Sequence, residues 1–223
     1  MKLIFFGRPG SGKGTYASRI CPQLGIVHIA TGDMYRAEVA AGSKLGKLAD
    51  SYMKKGQLVP DDVTINMFSE RVEKPDAKKG FILDGFPRTM EQAKWLEKKF
   101  SIDLVVNFAI DEEIIIEKAL ARRICKNCGN IYNIADIKMG KIRMPPLLPK
   151  KEGICDKCGG KLYQRKDDNR ETIKDRQGTY VRQSQPLLEY YRKKKLVKDV
   201  DVIGGPEQMV PIIIDVIKKN AKK

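Results

Sequence analysis

This sequence lacks any apolar run long enough to cross a bilayer, and it nearly lacks histidine. No stretch approaches the ~18 apolar residues of a spanning helix. The opening MKLIFF has only four apolar residues in a row before Gly7, far short of a secretory signal core. A soluble, cytoplasmic protein with no membrane partner is the expectation. His28, the single histidine, ends a short apolar segment, so a packed or hydrogen-bonded role is favoured over acid–base catalysis. Cysteine is sparse too, with five in 223 residues. Four are spaced as metal ligands, which argues against a disulfide framework. Cys21 has no evident partner and reads as a small buried residue rather than a reactive thiol. Apart from two similar cysteine knuckles there are no internal repeats, and there is no low-complexity tract.

What the chain has in excess is positive charge: 43 Lys and Arg against 28 Asp and Glu, a net +15. That balance favours an anionic partner, whether nucleotide, nucleic acid or surface. Lysines scattered in short runs such as RKKK fit a merely solvated surface equally well. The length suits one core of about 150 residues plus an insertion, or two small domains. Segments KLIFF, IVHIA, FILD, LVVNFAI and LVKDVDVI read as strands, with amphipathic helices between them. Their apolar character is continuous rather than alternating, which predicts a parallel sheet covered on both faces. Residues 31 to 60 look like two short helices ending in GQLVP, and residues 122 to 168 hold the four cysteines and several prolines. The chain resumes with a long helix from about Arg170, apolar at Ile173, Tyr180, Val181, Leu187, Leu188 and Tyr191. The reading is one α/β core with two insertions.

GRPGSGKGT follows the first strand and opens the first helix. It matches G-x-x-x-x-G-K, with Gly14 where Ser or Thr usually stands and Thr15 one place later. Gly7, Gly10, Gly12 and Gly14 let backbone N–H groups, including that of Ser11, close around phosphate oxygens. Lys13 would reach the β- and γ-phosphates, and the Thr15 hydroxyl would stand near Mg²⁺. The strand–loop–helix context argues against a chance glycine turn. No N-K-x-D guanine signature occurs. In FILDGFPRT, Asp84 ends an apolar strand, where a carboxylate can hold a Mg²⁺-bound water. Arg88 follows instead of a base, which suits a second anionic substrate better than water.

Cys125-Lys-Asn-Cys128-Gly and Cys155-Asp-Lys-Cys158-Gly are separated by residues 129–154. Four thiolates suit tetrahedral Zn²⁺, and a set closed by protein ligands is structural. Iron in the same ligands, or redox disulfides, are the alternatives.

GRPGSGKGT, TGDMYR, GQLVP, FILDGFPRT, ARRIC and YQRKDDN stand in the order seen in adenylate kinases of the long, zinc-lid type, and the chain resembles that family over essentially its whole length. The resemblance implies a P-loop kinase fold, a parallel sheet flanked by helices. It implies a core of residues 1–29, 61–121 and 170–223, an NMP-binding helical insertion at 30–60, and a zinc-ribbon-like lid at 122–169. It places ATP on Gly10, Ser11, Gly12, Lys13, Gly14 and Thr15, with Arg122, Ile131 and Tyr132 from the lid and Gly204 at the adenine. It places AMP on Thr31, Arg36, Gln57, Leu58, Val59, Gly85, Phe86, Pro87, Arg88 and Gln92. Arg165 and Arg176 match further phosphate-binding arginines, and Lys13, Asp84, Arg88, Arg122, Arg165 and Arg176 are implied as catalytic. Mg²⁺ with ATP, a structural Zn²⁺ and a monomeric state follow as family expectations. Two departures stand out. Lys118 occupies a position where the family usually has arginine against the donor base. The connection between the cysteine pairs is about ten residues longer than the resemblance leads one to expect, and reads either as an elaborated hairpin or as a surface for another subunit.

The charges support the expected reaction, ATP + AMP = 2 ADP. Two nucleotides bring roughly six negative charges together, and one Mg²⁺ cancels two. Lys13, Arg36, Arg88, Arg122, Arg165 and Arg176 supply counter-charge, in guanidinium forks suited to phosphate oxygens. The acceptor phosphate has a second pKa near ~6, so it needs no general base. Asp167 and Asp168 fit as partners orienting arginines, with a solvated acidic pair as the rival. Arg122 and Arg123 are adjacent, so only one is expected to face the phosphates, and the match favours Arg122. Three rivals remain: a kinase for another monophosphate, a zinc-ribbon nucleic-acid-binding protein, and an ATPase driving a partner. Nucleic acid is not the expected partner, because the knuckles carry few aromatics beyond Tyr132 and Tyr163.

Overall fold

The computed structural model describes residues 1–221. Its centre is a parallel sheet of β1 (Lys2–Gly7), β2 (Val27–Ala30), β3 (Phe81–Asp84), β4 (Leu104–Ala109) and β10 (Val197–Asp201), in the order β10-β4-β1-β3-β2. The continuous apolar strands have a simple cause. Successive side chains point to opposite faces, and here each face meets a separate core. Leu3 and Phe5 of β1 pack into one core, while Ile4 and Phe6 pack into the other.

Helices α1 (Lys13–Leu24) and α9 (Pro206–Asn220) cover the first face through residues such as Ile20 and Ile213. α4 (Asp61–Val72), α5 (Met90–Lys99) and α8 (Gln185–Lys193) cover the second. There Phe68 and Phe86 stack with ring centroids 4.1 Å apart, and Trp95 meets both edge-on. α6 (Glu112–Leu120) follows β4 and leads into the second insertion.

The first insertion is a pair of helices, α2 (Thr31–Ala41) and α3 (Lys44–Met53), with a small core of Tyr35, Ala49 and Val59. The Ser43 hydroxyl caps α3 by accepting the Gly46 N–H at 2.9 Å. Gly46 is required there, because a Cβ would run into the Glu38 carbonyl of α2.

The second insertion is all strand. β5 (Arg122–Cys125), β6 (Ile131–Asn133) and β9 (Leu162–Tyr163) form an antiparallel sheet in the order β6-β5-β9. β7 (Ile137–Met139) and β8 (Ile142–Met144) form a separate hairpin. The long connection between the cysteine pairs therefore carries three short strands, β6, β7 and β8. Ile137 and Met144 are buried in the main core rather than presented to a partner, although Leu148 stays 57% exposed.

The long helix expected from Arg170 is present without a break to Lys193, but it contains a π turn. α7 (Arg170–Thr179) passes through a π turn at Tyr180–Ser184 before α8. The wider turn shifts the helical register. As a result Val181 is 43% exposed, while Ile173, Leu187 and Tyr191 are buried.

Candidate active site

The phosphate loop leaves β1 at Gly7 and enters α1 at Lys13. Gly10 and Gly12 have φ of 91° and 102°, values at which a Cβ is strained. The Lys13 ammonium donates to the carbonyls of Gly7 and Arg8 at 2.8 and 2.9 Å. Burial lowers its pKa to about 8, opposed by Asp84 and reinforced by Arg88, Arg176 and Arg122. Gln177 of α7 braces the loop by donating to the Pro9 carbonyl at 2.8 Å.

Asp84 stands at the end of β3, and His28 Nε2 lies 3.4 Å from its carboxylate. Burial works against ionisation there, but the neighbouring His28 ring and the Lys13 charge hold the carboxyl down at about 2. It is a carboxylate at neutral pH, beside Gly14, where a Cβ would sit 3.2 Å from its oxygen. An ionised oxygen next to Lys13 and the loop suits a Mg²⁺-bound water. The buried His28 Nε2 faces that carboxylate without making a hydrogen bond among the described residues, so the ring is packed rather than bonded.

Five arginines from different parts of the chain converge, and acidic side chains orient four of them. Arg122 makes a two-pronged contact with Asp168, one bond at 2.9 Å. Arg176 donates to Asp167 at 2.9 Å. Arg36 and Arg165 both reach one oxygen of Asp33, at 2.5 and 3.3 Å. Arg88 donates to the Gly85 carbonyl at 2.8 Å. Asp168 is buried, so the acidic pair orients arginines and is not solvated. Burial lowers Arg165 to about 9 and Arg176 to about 10, with neighbouring arginines adding to the shift. Arg123 instead folds onto the carbonyls of Leu120 and Arg122 and takes no part in the cluster.

These groups sit where two lobes of one cleft meet. Arg36, Arg88, Arg176, Gly85 and Leu58 line both lobes. The smaller lobe is lined by Thr31, Gln57, Val59 and Gln92. The Gln92 amide accepts the Arg88 N–H at 2.8 Å and donates to Asp61 at 2.7 Å. The Thr31 hydroxyl donates to the Gly85 carbonyl at 2.8 Å. Both are therefore fixed in orientation. The larger lobe holds Gly10, Gly12, Lys13, Gly14, Thr15, Pro87, Lys118, Arg122, Ile131 and Gly204. Ser11, within the loop, is fully buried, and its N–H donates to the Arg8 carbonyl at 3.1 Å.

Two residues do not project as the resemblance implies. Ile131 faces the cleft, and its strand neighbour Tyr132 necessarily faces the other way. The Tyr132 hydroxyl donates to Cys155 Sγ at 3.6 Å and accepts the Asp156 N–H at 2.7 Å. Phe86 borders the cleft, but its ring stacks on Phe68 inside the core. Sequence reasoning missed Asp33, whose carboxylate links α2 to the lid. The only signal was its place inside the TGDMYR motif.

The cysteines meet a metal's geometry. Four sulfurs about 2.3 Å from a tetrahedral ion lie roughly 3.8 Å from one another. Cys125 and Cys158 Sγ are 3.4 Å apart, Cys128 and Cys155 Sγ 3.6 Å, and all four fall within 4.8 Å. These separations are too long for disulfides. Backbone N–H groups of Asn127 and Cys128 face the Cys125 sulfur, and those of Lys157 and Cys158 face Cys155. That pattern suits bound thiolates. Cys21 is buried, and burial pushes its thiol up to about 12, so it is an inert core residue.

A phosphate loop on a parallel sheet, with a two-lobed cleft and converging arginines, defines a P-loop kinase, a phosphotransferase. The chain belongs to the adenylate kinase family, whose sequence model matches residues 5–196. It is 46% identical to the adenylate kinase of Archaeoglobus fulgidus, over 98% of this chain and all of that protein. It is also 46% identical to that of a Geobacillus species, over 97% and 96% of the two chains. A third relative, the adenylate kinase of Thermosipho melanesiensis, is 44% identical over 98% of this chain and all of its own.

Proposed function

We propose that the chain transfers the terminal phosphoryl group of Mg·ATP to AMP, forming two ADP reversibly. One observation carries this reading: two lobes of a single cleft share Arg36, Arg88 and Arg176, so two anionic ligands would meet phosphate to phosphate. ATP occupies the larger lobe, on Gly10 to Thr15, Arg122, Ile131 and Gly204. AMP occupies the smaller, on Thr31, Arg36, Gln57, Leu58, Val59, Gly85, Arg88 and Gln92.

The acceptor oxygen is already deprotonated at neutral pH, so the protein supplies alignment and counter-charge rather than a base. Lys13, Arg88, Arg122, Arg165 and Arg176 hold the phosphoryl oxygens in line. Asp84 and Thr15 would hold the waters of a Mg²⁺ ion bound with ATP, whose charge would neutralise part of that on the phosphates. Residues 30–60 and 122–169 act as covers that close over the core. Such closure, for which adenylate kinases are themselves a standard example, keeps water from the γ-phosphate. Cys125, Cys128, Cys155 and Cys158 hold a structural Zn²⁺. A monomer in the cytoplasm fits these features. Among the described residues no helix is long and apolar enough to cross a membrane, and the long lid loop folds inward.

The test is to mix ATP, AMP and Mg²⁺ and follow ADP, then replace AMP by CMP, UMP and GMP. ADP formation that requires AMP is expected. ATP hydrolysis indifferent to AMP would refute the reading, and a preference for another monophosphate would correct the acceptor.

A further inference from the structure

The β7–β8 hairpin belongs to the lid in sequence, yet it is seated on the core. Ile137 and Met144, at its two ends, are 3% and 5% exposed and pack with Val202, Met209 and Val210. The Arg143 N–H donates to the Ile203 carbonyl at 2.9 Å, and β8 continues as a parallel bridge from Arg143 to Gly204. Pro145 lies against Gly205. The same residues, Ile137, Met144, Pro145 and Leu147, line the larger lobe of the cleft together with Ala119 and Gly204, and none of them lines the smaller lobe. They lie on the Gly204 side, away from the acceptor lobe.

We propose that this hairpin is the wall of the donor-base subsite, with Ile137 and Met144 as specificity-determining residues for the purine of ATP. The wall is chemically plain. Asn133, its nearest polar side chain, is committed: its amide donates to the Lys118 carbonyl at 2.8 Å and accepts the Ala135 N–H at 3.0 Å. Its backbone pairs both ways with Leu147. The hairpin therefore offers the base methyl and methylene groups, and holds it by shape and exclusion of water. Because one side of the slot is lid and the other is core, the subsite is complete only when the hairpin rests on Ile203 and Gly204. Base binding and lid closure are thereby coupled through one contact.

The inference rests on the larger lobe being the ATP lobe, and the test separates the two ideas. Titration calorimetry on the full-length, metal-loaded protein compares ATP with tripolyphosphate, which keeps the phosphates and lacks the base. In Met144→Ala, and in the milder Ile137→Val should the first fail to fold, ATP binding weakens on the order of tenfold for the alanine and less for the valine. Tripolyphosphate binding and the KM for AMP stay unchanged, while the KM for ATP rises. Equal weakening of both ligands would overturn the inference, because the hairpin would then act only on the phosphate arginines. Unchanged ATP binding in a folded variant would overturn it as well. Failure of the wild-type protein to form ADP from AMP would instead strike at the proposed reaction.

Discussion

Nucleotide binding should draw protons from solution, and the number follows from two lysines. In the free protein, burial lowers Lys13 and Lys118 to about 8 each, with Arg122 beside both. At pH 8 each is therefore about half neutral, and together they lack about one proton. Phosphate oxygens arriving at Lys13 and Arg122, the two cations whose charges bear on Lys118, favour the charged ammonium of both lysines and return them toward their ordinary range. Binding ATP at pH 8 then takes up about one proton, falling to roughly 0.2 at pH 7. The signature is a calorimetric enthalpy that changes with the ionisation enthalpy of the buffer at pH 8 and hardly changes at pH 7. Where the phosphates are fully ionised, affinity should fall as pH rises through 8. Lys118→Met should halve the uptake while leaving the Lys13 share. Without ligand the sign reverses. The unfolded chain holds these protons up to about pH 10.4, so the free protein gains stability as pH rises from 8 toward 10. Buffer-independent enthalpy at pH 8, or proton release, would refute the buried-lysine argument.

Three further perturbations bear on separate parts of the molecule. Asp168→Ala leaves Arg122 buried without its partner, so the free protein should lose about 3–5 kcal/mol in urea melts. Saturating ATP should offset much of that loss, and an equal loss with and without ATP would mean that Arg122 does not face phosphate. Cys128→Ser, or chelation of the metal, should lower the melting temperature more than it lowers turnover in the cold, whereas equal losses in both would point to a catalytic ion. Phe68→Ala removes the ring stacked on Phe86 and should cost about 3–5 kcal/mol. Its effect should appear in stability rather than in KM, and a selective rise in the KM for AMP would show that the Phe86 loop needs this support.

The sheet was legible because its constraint is local. A strand buried on both faces is apolar at every position, and Leu3 to Phe6 announce that without any knowledge of neighbours. The phosphate loop and the cysteine knuckles were legible for a similar reason, since their chemistry needs fixed spacings along the chain. The direction of Tyr132 was not. β6 is three residues long, too short for alternation to show which face meets the cleft. Val181 was misplaced by a π turn that no periodic pattern encodes. The hairpin's seat was equally hidden: the sequence allows a hairpin between the cysteine pairs, and only the core that Ile137 and Met144 share with Val202 and Met209, far along the chain, shows where it rests. Asp33 escaped because its value lies in binding Arg165, a partner from another insertion.

The lid's own interior is Cys125, Tyr132 and Cys155 with Leu162 packed beside them, too little apolar surface to fix a fold of nearly fifty residues. Its rigidity must come from elsewhere, and it has two sources. Four thiolates on one ion would lock the two knuckles together, with Tyr132 tying its strand to Cys155. At the other end the hairpin places Ile137 and Met144 in the main core. Arg122 lies between these anchors, one strand from the knuckle and held to Asp168. The metal therefore need not approach the phosphates to serve the reaction. Bound by the four cysteines, it would make a small insertion stiff enough that seating the hairpin on the cleft sets the position of Arg122. Loss of the ion and loss of the hairpin contact should accordingly fail differently: the first by melting the lid, the second by leaving a folded lid that no longer reads the base.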